Sequence, residues 1–198
     1  MAKSGPSPLE RPNCDYAAFW CEENVHRLLA RPEFRGPGVE AWAVLISNPS
    51  GSVALLSQAA GADGDGLVLW DYHVMALAAW HPDGMLAFDL DSLLAFPCPA
   101  SIWLERSCPP DLLPGHEGFF RVLPASQYLD SFASDRSHMR FSDGSYKAAP
   151  PPWPAFGQGR PNNLMEWVDM RREGPGRVMD RAAFAFFLGS GRGRSAVP

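Results

Sequence analysis

Nothing in this chain approaches the roughly 20 consecutive apolar residues that span a bilayer, which predicts no membrane partner. Its 17 Lys and Arg against 22 Asp and Glu form no basic stripe, and the net charge is −5. Nothing is therefore there to neutralise phosphates, which predicts no nucleic-acid partner. The opening stretch MAKSGPSPLERPN lacks the apolar core of a secretory signal, which predicts a cytoplasmic protein with entry to the nucleus open to it. Cysteine is scarce, at positions 14, 21, 98 and 108. No C-x-x-C occurs and no His/Cys pair has zinc-finger spacing, so reduced thiols are expected and no structural metal.

What the chain does have is 20 Pro and 18 Gly in 198 residues, with Pro at about twice its average usage. That composition favours short elements joined by ordered loops. The hydrophobic fraction of 46% is ordinary for a globular protein, and the length suits one domain. We place that domain at residues 14–189, with flexible tails at 1–13 and 190–198. Nothing suggests more than a monomer.

A first helix is expected from Cys21, with Glu22 and Glu23 in a first turn that suits acidic groups and Val25, Leu28 and Leu29 on one face. Residues 41–46 read as a strand, closed by Asn48-Pro49-Ser50-Gly51, with 53–56 as its return strand. A β-rich run over 67–79 leads to the turn His81-Pro82-Asp83-Gly84, and 85–90 returns from it. A strand near 119–123, a helix capped by Ser126, a short helix near Asn163 and a final helix at 181–188, capped by Asp180, complete the pattern. This order predicts an α+β fold rather than a doubly wound parallel sheet.

Cys21 stands where a loop meets a helix, and backbone N–H groups there depress a thiol pKa and can bind an oxyanion. By position alone, a packed structural cysteine is the more ordinary reading. His73, in Trp70-Asp71-Tyr72-His73-Val74, shifts the balance. The hairpin beyond it brings back Phe88-Asp89-Leu90-Asp91, which sets Asp89 near His73 provided the register does not slip by one residue. Asp89, His73 and Cys21 would then be orienter, base and nucleophile. Asp89 and Asp91 also have the spacing of a D-x-D metal pair, but nothing nearby completes an oxygen cage.

Cys21-Glu22-Glu23-Asn24, the pentapeptide 70–74, Asp89-Leu90-Asp91 and the octapeptide Phe132-Ala133-Ser134-Asp135-Arg136-Ser137-His138-Met139 closely resemble the protein N-terminal glutamine amidohydrolase family. The resemblance runs in order from about Cys14 to Gly189. It implies an α-β-α sandwich around a mainly antiparallel sheet, similar to the papain and transglutaminase catalytic core, with no cofactor. It also implies conversion of an N-terminal Gln of protein or peptide substrates to Glu, with loss of ammonia, feeding the N-degron pathway. Carried over, Cys21 is the nucleophile of a thioester mechanism, His73 the general base and acid, and Asp89 the orienting carboxylate.

A substrate with a free α-ammonium needs an acceptor, and Glu23 is the first candidate, Asp71 the second. Ser134, Asp135, Arg136 and His138 read as a hydrogen-bonded scaffold beside the site. Two alternatives stay open: a transglutaminase-like or protease-like cysteine enzyme with the same triad, and a non-enzymatic adaptor that docks partners through Pro150–Pro154.

Overall fold

The computed structural model describes residues 9–62, 64–80, 84–157 and 159–190. In chain order the elements are α1 (Cys21–Leu29), β1 (Val39–Ser47), β2 (Val53–Leu55), β3 (Val68–Trp70), β4 (His73–Trp80), β5 (Met85–Phe88) and β6 (Cys98–Pro99). Then follow α2 (Ala100–Ser107), β7 (Phe119–Pro124), α3 (Ala125–Ser131), α4 (Leu164–Val168), β8 (Arg177–Met179) and α5 (Arg181–Gly189). Six strands form one sheet in the order β6-β5-β4-β1-β7-β8, with β2 and β3 as a separate ribbon. Every pairing in both is antiparallel.

Strand alternation sorts the apolar side chains into two layers. Ala43, Leu45, Val74, Ala76 and Ala78 face a core shared with Val25, Leu28 and Leu29 of α1, Tyr128 of α3 and Leu164 and Trp167 of α4. The intervening residues Val44, Ile46, Met75, Leu77 and Ala79 face Trp103 and Leu104 of α2 and Phe184 and Leu188 of α5. Because both faces are covered, β1 and β4 read as near-continuous hydrophobic runs. Each fully buried Val, Leu, Ile or Met side chain contributes about 1.5–3 kcal/mol. The expected α+β class and the mainly antiparallel sheet are what the chain forms.

Several boundaries differ from expectation. The return strand expected after β1 is β2, but it pairs with β3, because both edges of β1 are already taken by β4 and β7. The β-rich run divides at Asp71 and Tyr72 into β3 and β4. Ser126 is not a cap: α3 starts at Ala125 after Pro124, with no side-chain cap. Asp180 does cap α5, its carboxylate accepting from the Ala183 N–H. The turn expected at 81–84 lies outside the described residues except for Gly84, as do the tails except for residues 9–13 and Ser190. No helix of the described residues is long and apolar enough to cross a membrane.

Candidate active site

The chain enters α1 through a tight turn. Phe19 has φ of 67°, in the left-handed region that non-glycine residues seldom occupy, and the Trp20 N–H reaches back to the Ala17 carbonyl at 3.3 Å. Asn24 clamps this turn from the helix side, accepting from Ala17 N–H at 2.9 Å and donating to Ala17 O at 2.8 Å. The Tyr128 hydroxyl fixes the first turn of α1 by donating to Glu22 O at 2.9 Å. Cys21 is thereby held as the first helical residue, 8% exposed.

The β4–β5 register supplies the partner pair. Ala76 faces Phe88 and Ala79 faces Met85; continued past the end of β5, this register sets His73 diagonal to Asp89, on the face shared with Met75 and Ala87. His73 Nε2 lies 3.0 Å from Asp89 Oδ1, and both side chains are 1% exposed. Asp89 is satisfied on all sides: Oδ1 also accepts from Asp91 N–H at 3.0 Å, and Oδ2 accepts from Trp103 Nε1 at 2.9 Å and Gln58 Nε2 at 3.3 Å. Gln58 is placed by Gly66, whose carbonyl accepts the Gln58 N–H at 2.9 Å. Gly66 has φ of +67°, and a Cβ there would lie 2.7 Å from Gln58 N. Trp70 stacks on the His73 ring with centroids 5.8 Å apart, and His73 Nδ1 is buried without a hydrogen-bond partner. Cys21 and His73 line one cavity of about 210 Å³, together with Phe19, Trp70, Asp71, Tyr72, Asp91, Met139 and Lys147.

The electrostatics divide the site. Burial works against a charged His73, but the Asp89 charge and hydrogen bond, with the charges of Asp91 and Glu22, together raise the imidazole above its ordinary value. Burial likewise works against the Asp89 charge, and His73, Trp103 and Gln58 together hold that carboxyl below the usual range. The helix start was expected to depress the Cys21 thiol, yet the direction is upward. Burial comes first, then the negative charges of Glu22 and Asp91, against which the Val74 backbone N–H favours the thiolate. Burial and the neighbouring carboxylates all act against a thiolate here. Cys21 instead donates to Glu22 Oε2 at 3.7 Å.

His73, Asp89 and Asp91 each bring one ligand atom within 4.8 Å of the others, a spacing a cation could bridge. The Asp89 oxygens, however, are faced by the N–H donors of His73, Trp103, Gln58 and Asp91. A cation there would meet the positive ends of four dipoles, so the donor set suits a hydrogen-bonded carboxylate.

This geometry can be set beside known proteins. The model of the N-terminal glutamine amidase family matches residues 16–188. The chain belongs to that family. A Protein N-terminal glutamine amidohydrolase of Drosophila grimshawi is 38% identical over 181 residues, 87% of each chain. The human protein of that name is 36% identical over 191 residues, 93% of each, and the Bos taurus one 36% identical over 173 residues, 85% of this chain and 83% of its own.

Within this amidase fold, Glu23 and Asp71 have different surroundings. Glu23 is fully buried and forms a bidentate pair with Arg136, Nε to Oε1 and Nη2 to Oε2 both at 2.7 Å, while Trp153 Nε1 donates to Oε2 at 2.8 Å. It is not among the residues that line the cavity. Asp71 is exposed, lines the cavity, and accepts from the Tyr72 N–H at 2.9 Å. Of the expected scaffold, Ser134 Oγ accepts from the Arg136 N–H at 3.2 Å, and Asp135 Oδ1 from the Ser137 N–H at 2.9 Å and Asn162 Nδ2 at 2.7 Å. Neither ring nitrogen of His138, by contrast, has a hydrogen-bond partner among the described residues. Arg136 also donates to Trp153 O at 2.7 Å, and His138 Nε2 stands 3.4 Å from Glu22 Oε1, misaligned for a hydrogen bond. Within the Pro150–Pro154 run, Pro151 is buried and the Trp153 side chain and carbonyl are both engaged, while Pro150, Pro152 and Pro154 are exposed. Gln58, Trp103 and Tyr16, which donates to Asp91 at 2.6 Å, were not anticipated. No local pattern marks them, since each reaches the site from a distant segment.

The Glu23–Arg136 pair carries a stability prediction. Arg136→Met leaves a buried carboxylate with one neutral donor, and we expect a loss of about 3–5 kcal/mol in urea unfolding. Adding Glu23→Gln should recover much of it. A loss under about 1 kcal/mol for Arg136→Met would place the pair in the class of solvated surface pairs.

Proposed function

We propose that the chain hydrolyses the side-chain amide of an N-terminal glutamine to glutamate with release of ammonia. The observation that carries this reading is the His73–Asp89 pair, whose His73 lines the same cavity as Cys21, in a chain whose relatives bear the name N-terminal glutamine amidohydrolase.

Cys21 is the nucleophile. As its sulfur attacks the glutamine Cδ, the thiol proton passes to His73 Nδ1, the ring atom left without a partner. Asp89 steadies the imidazolium through Nε2. The Cys21 backbone N–H at the helix start donates to the carbonyl oxygen as it becomes an oxyanion. The C–N bond then breaks, His73 gives its proton to the leaving nitrogen, and ammonia departs from a thioester. Water loses a proton to His73 and attacks the thioester carbon; the C–S bond breaks, glutamate is released and the thiol is restored. Kinship with the papain and transglutaminase core belongs to the same proposal, and the order of helix-borne cysteine followed by strand-borne histidine supports it.

The test uses two peptides, one starting with Gln and one with that Gln acetylated. Ammonia release and the mass gain of about 1 Da for amide to carboxylate are followed together. Turnover of the free peptide alone is expected. Turnover of both would favour a broader glutaminase or transglutaminase-like enzyme, and turnover of neither would overturn the proposal.

A further inference from the structure

Asp91 is a buried carboxylate that the reaction above does not use. It is 6% exposed, yet it lines the same cavity as Cys21 and His73. Among the described residues, one side chain donates a hydrogen bond to it, the neutral hydroxyl of Tyr16, to Oδ1 at 2.6 Å. Asp89 two residues earlier has four donors; Asp91 has far less compensation at a comparable depth. Burial accordingly raises its carboxyl, with Asp89 adding to the rise and His73, Tyr16 and Arg11 opposing it. A carboxylate left under-satisfied on a cavity wall costs stability unless a ligand supplies what it lacks.

The missing element is a cation. An amide side chain is neutral and offers a carboxylate only weak N–H donors, but an unblocked N-terminus carries an ammonium with three. Other charged groups on this wall are less suited to receive it. Asp71 is exposed, so a pair there stays hydrated and screened. Asp89 is fully engaged, and Glu22 is fully buried and does not line the cavity, its Oε2 taking hydrogen bonds from Cys21 and Tyr72 and its Oε1 lying 3.4 Å from His138 Nε2. Lys147 lines the cavity with its ammonium donating to His138 O at 2.9 Å, and His73 is committed to Asp89.

We infer that Asp91, held by Tyr16, is the acceptor for the free α-ammonium of the substrate. This deepens the amidohydrolase reading and rests on it. It also gives the discrimination against blocked termini a physical cause: an acylated nitrogen brings no charge to Asp91 and leaves it buried and unpaired.

The test measures binding in Cys21→Ala, where no turnover intervenes. Calorimetry compares a Gln-peptide with its analogue in which hydrogen replaces the α-amino group. We expect the Gln-peptide to bind at least tenfold tighter, and Asp91→Asn in the same background to bring the two within about threefold, a range set by the loss of one charge-assisted hydrogen bond. Unchanged affinity for the analogue serves as the folding control. Asp91→Glu, which keeps the charge, should restore part of the preference. Should Asp91→Asn not fold, carbon-13 NMR of the Asp91 carboxyl in Cys21→Ala carries the test: the Gln-peptide lowers its titration midpoint and the analogue does not. Equal binding of both peptides, a preference that survives Asp91→Asn, or an Asp91 carboxyl that ignores the Gln-peptide would each overturn the inference. If the amidohydrolase reading fails instead, the wild type binds the Gln-peptide preferentially but releases no ammonia, so the two failures are distinguishable.

Discussion

Cys21→Ala is expected to abolish deamidation of an N-terminal Gln-peptide, with a fall of about 10⁴–10⁶-fold in kcat, the range seen when the nucleophile of a triad is removed. Among the described residues lining the cavity, Cys21 is the one thiol. Tyr72 is no substitute, because its hydroxyl donates to Glu22 Oε2 at 3.1 Å and burial raises it well above its ordinary value. Cys21→Ser should be nearly as inactive. The same burial and negative neighbours that hold the thiol up act on an alkoxide, which starts from a much higher pKa. Fold loss is not a confounding route, since Cys21 is small and its turn is held by Asn24 and Tyr128 through backbone groups. Ammonia release and product mass, read beside the unfolding curve, give the answer. Activity within tenfold of wild type in Cys21→Ala would remove covalent catalysis by this residue.

How far the sequence disclosed this site follows from the range of the interactions. His73 and Asp89 are joined by one hairpin, so period-two alternation and a turn signal were enough to bring them together, with register as the open variable. The start of α1 was equally legible from its apolar spacing. The direction of the Cys21 thiol was not, because its first cause is desolvation, which only the fold sets; Glu22 is its neighbour in the chain, but Asp91 lies seventy positions away and is adjacent only in the fold. Glu23 shows the same limit: a carboxylate in a first helical turn looks available, and only the fold brings Arg136 and Trp153 onto it. Neither the short strands β6 and β8 nor the helix α2 was read from the sequence, and α2 is the omission that touches the site. It begins directly after a Pro-Cys-Pro segment, whose turn-forming residues mask the helical spacing of Trp103, Leu104 and Ser107. That omission hid Trp103, one of the donors that keep Asp89 ionised. The partner of β2 was misjudged for a related reason, since proximity in sequence favours a hairpin whereas an occupied strand edge forbids one.

Asp89→Asn is the second change with a large expected effect, a loss of about 10⁴-fold in kcat, the scale of replacing the orienting carboxylate of a triad. The amide cannot compensate an imidazolium, and it presents donors where Trp103, Gln58 and the Asp91 N–H already donate. The pH profile separates this from a structural effect. In the wild type, burial lowers His73, and Asp89, the largest of the groups opposing it, acts with Asp91 and Glu22 to raise it above its ordinary value of 6.5. A protonated His73 cannot accept the Cys21 proton, so activity is lost as pH falls through that raised value. With Asn at 89, burial is opposed only by the more distant Asp91 and Glu22, and the imidazole loses its proton more readily. The acid limb of kcat/KM should therefore move to lower pH in Asp89→Asn while the plateau collapses, the limb in each case belonging to the coupled Cys21–His73 pair. A collapsed plateau with an unmoved acid limb would mean that Asp89 acts through packing alone. A limb displaced to higher pH is the reverse of what loss of a negative charge beside an imidazole gives, and it would overturn His73 as the group behind that limb.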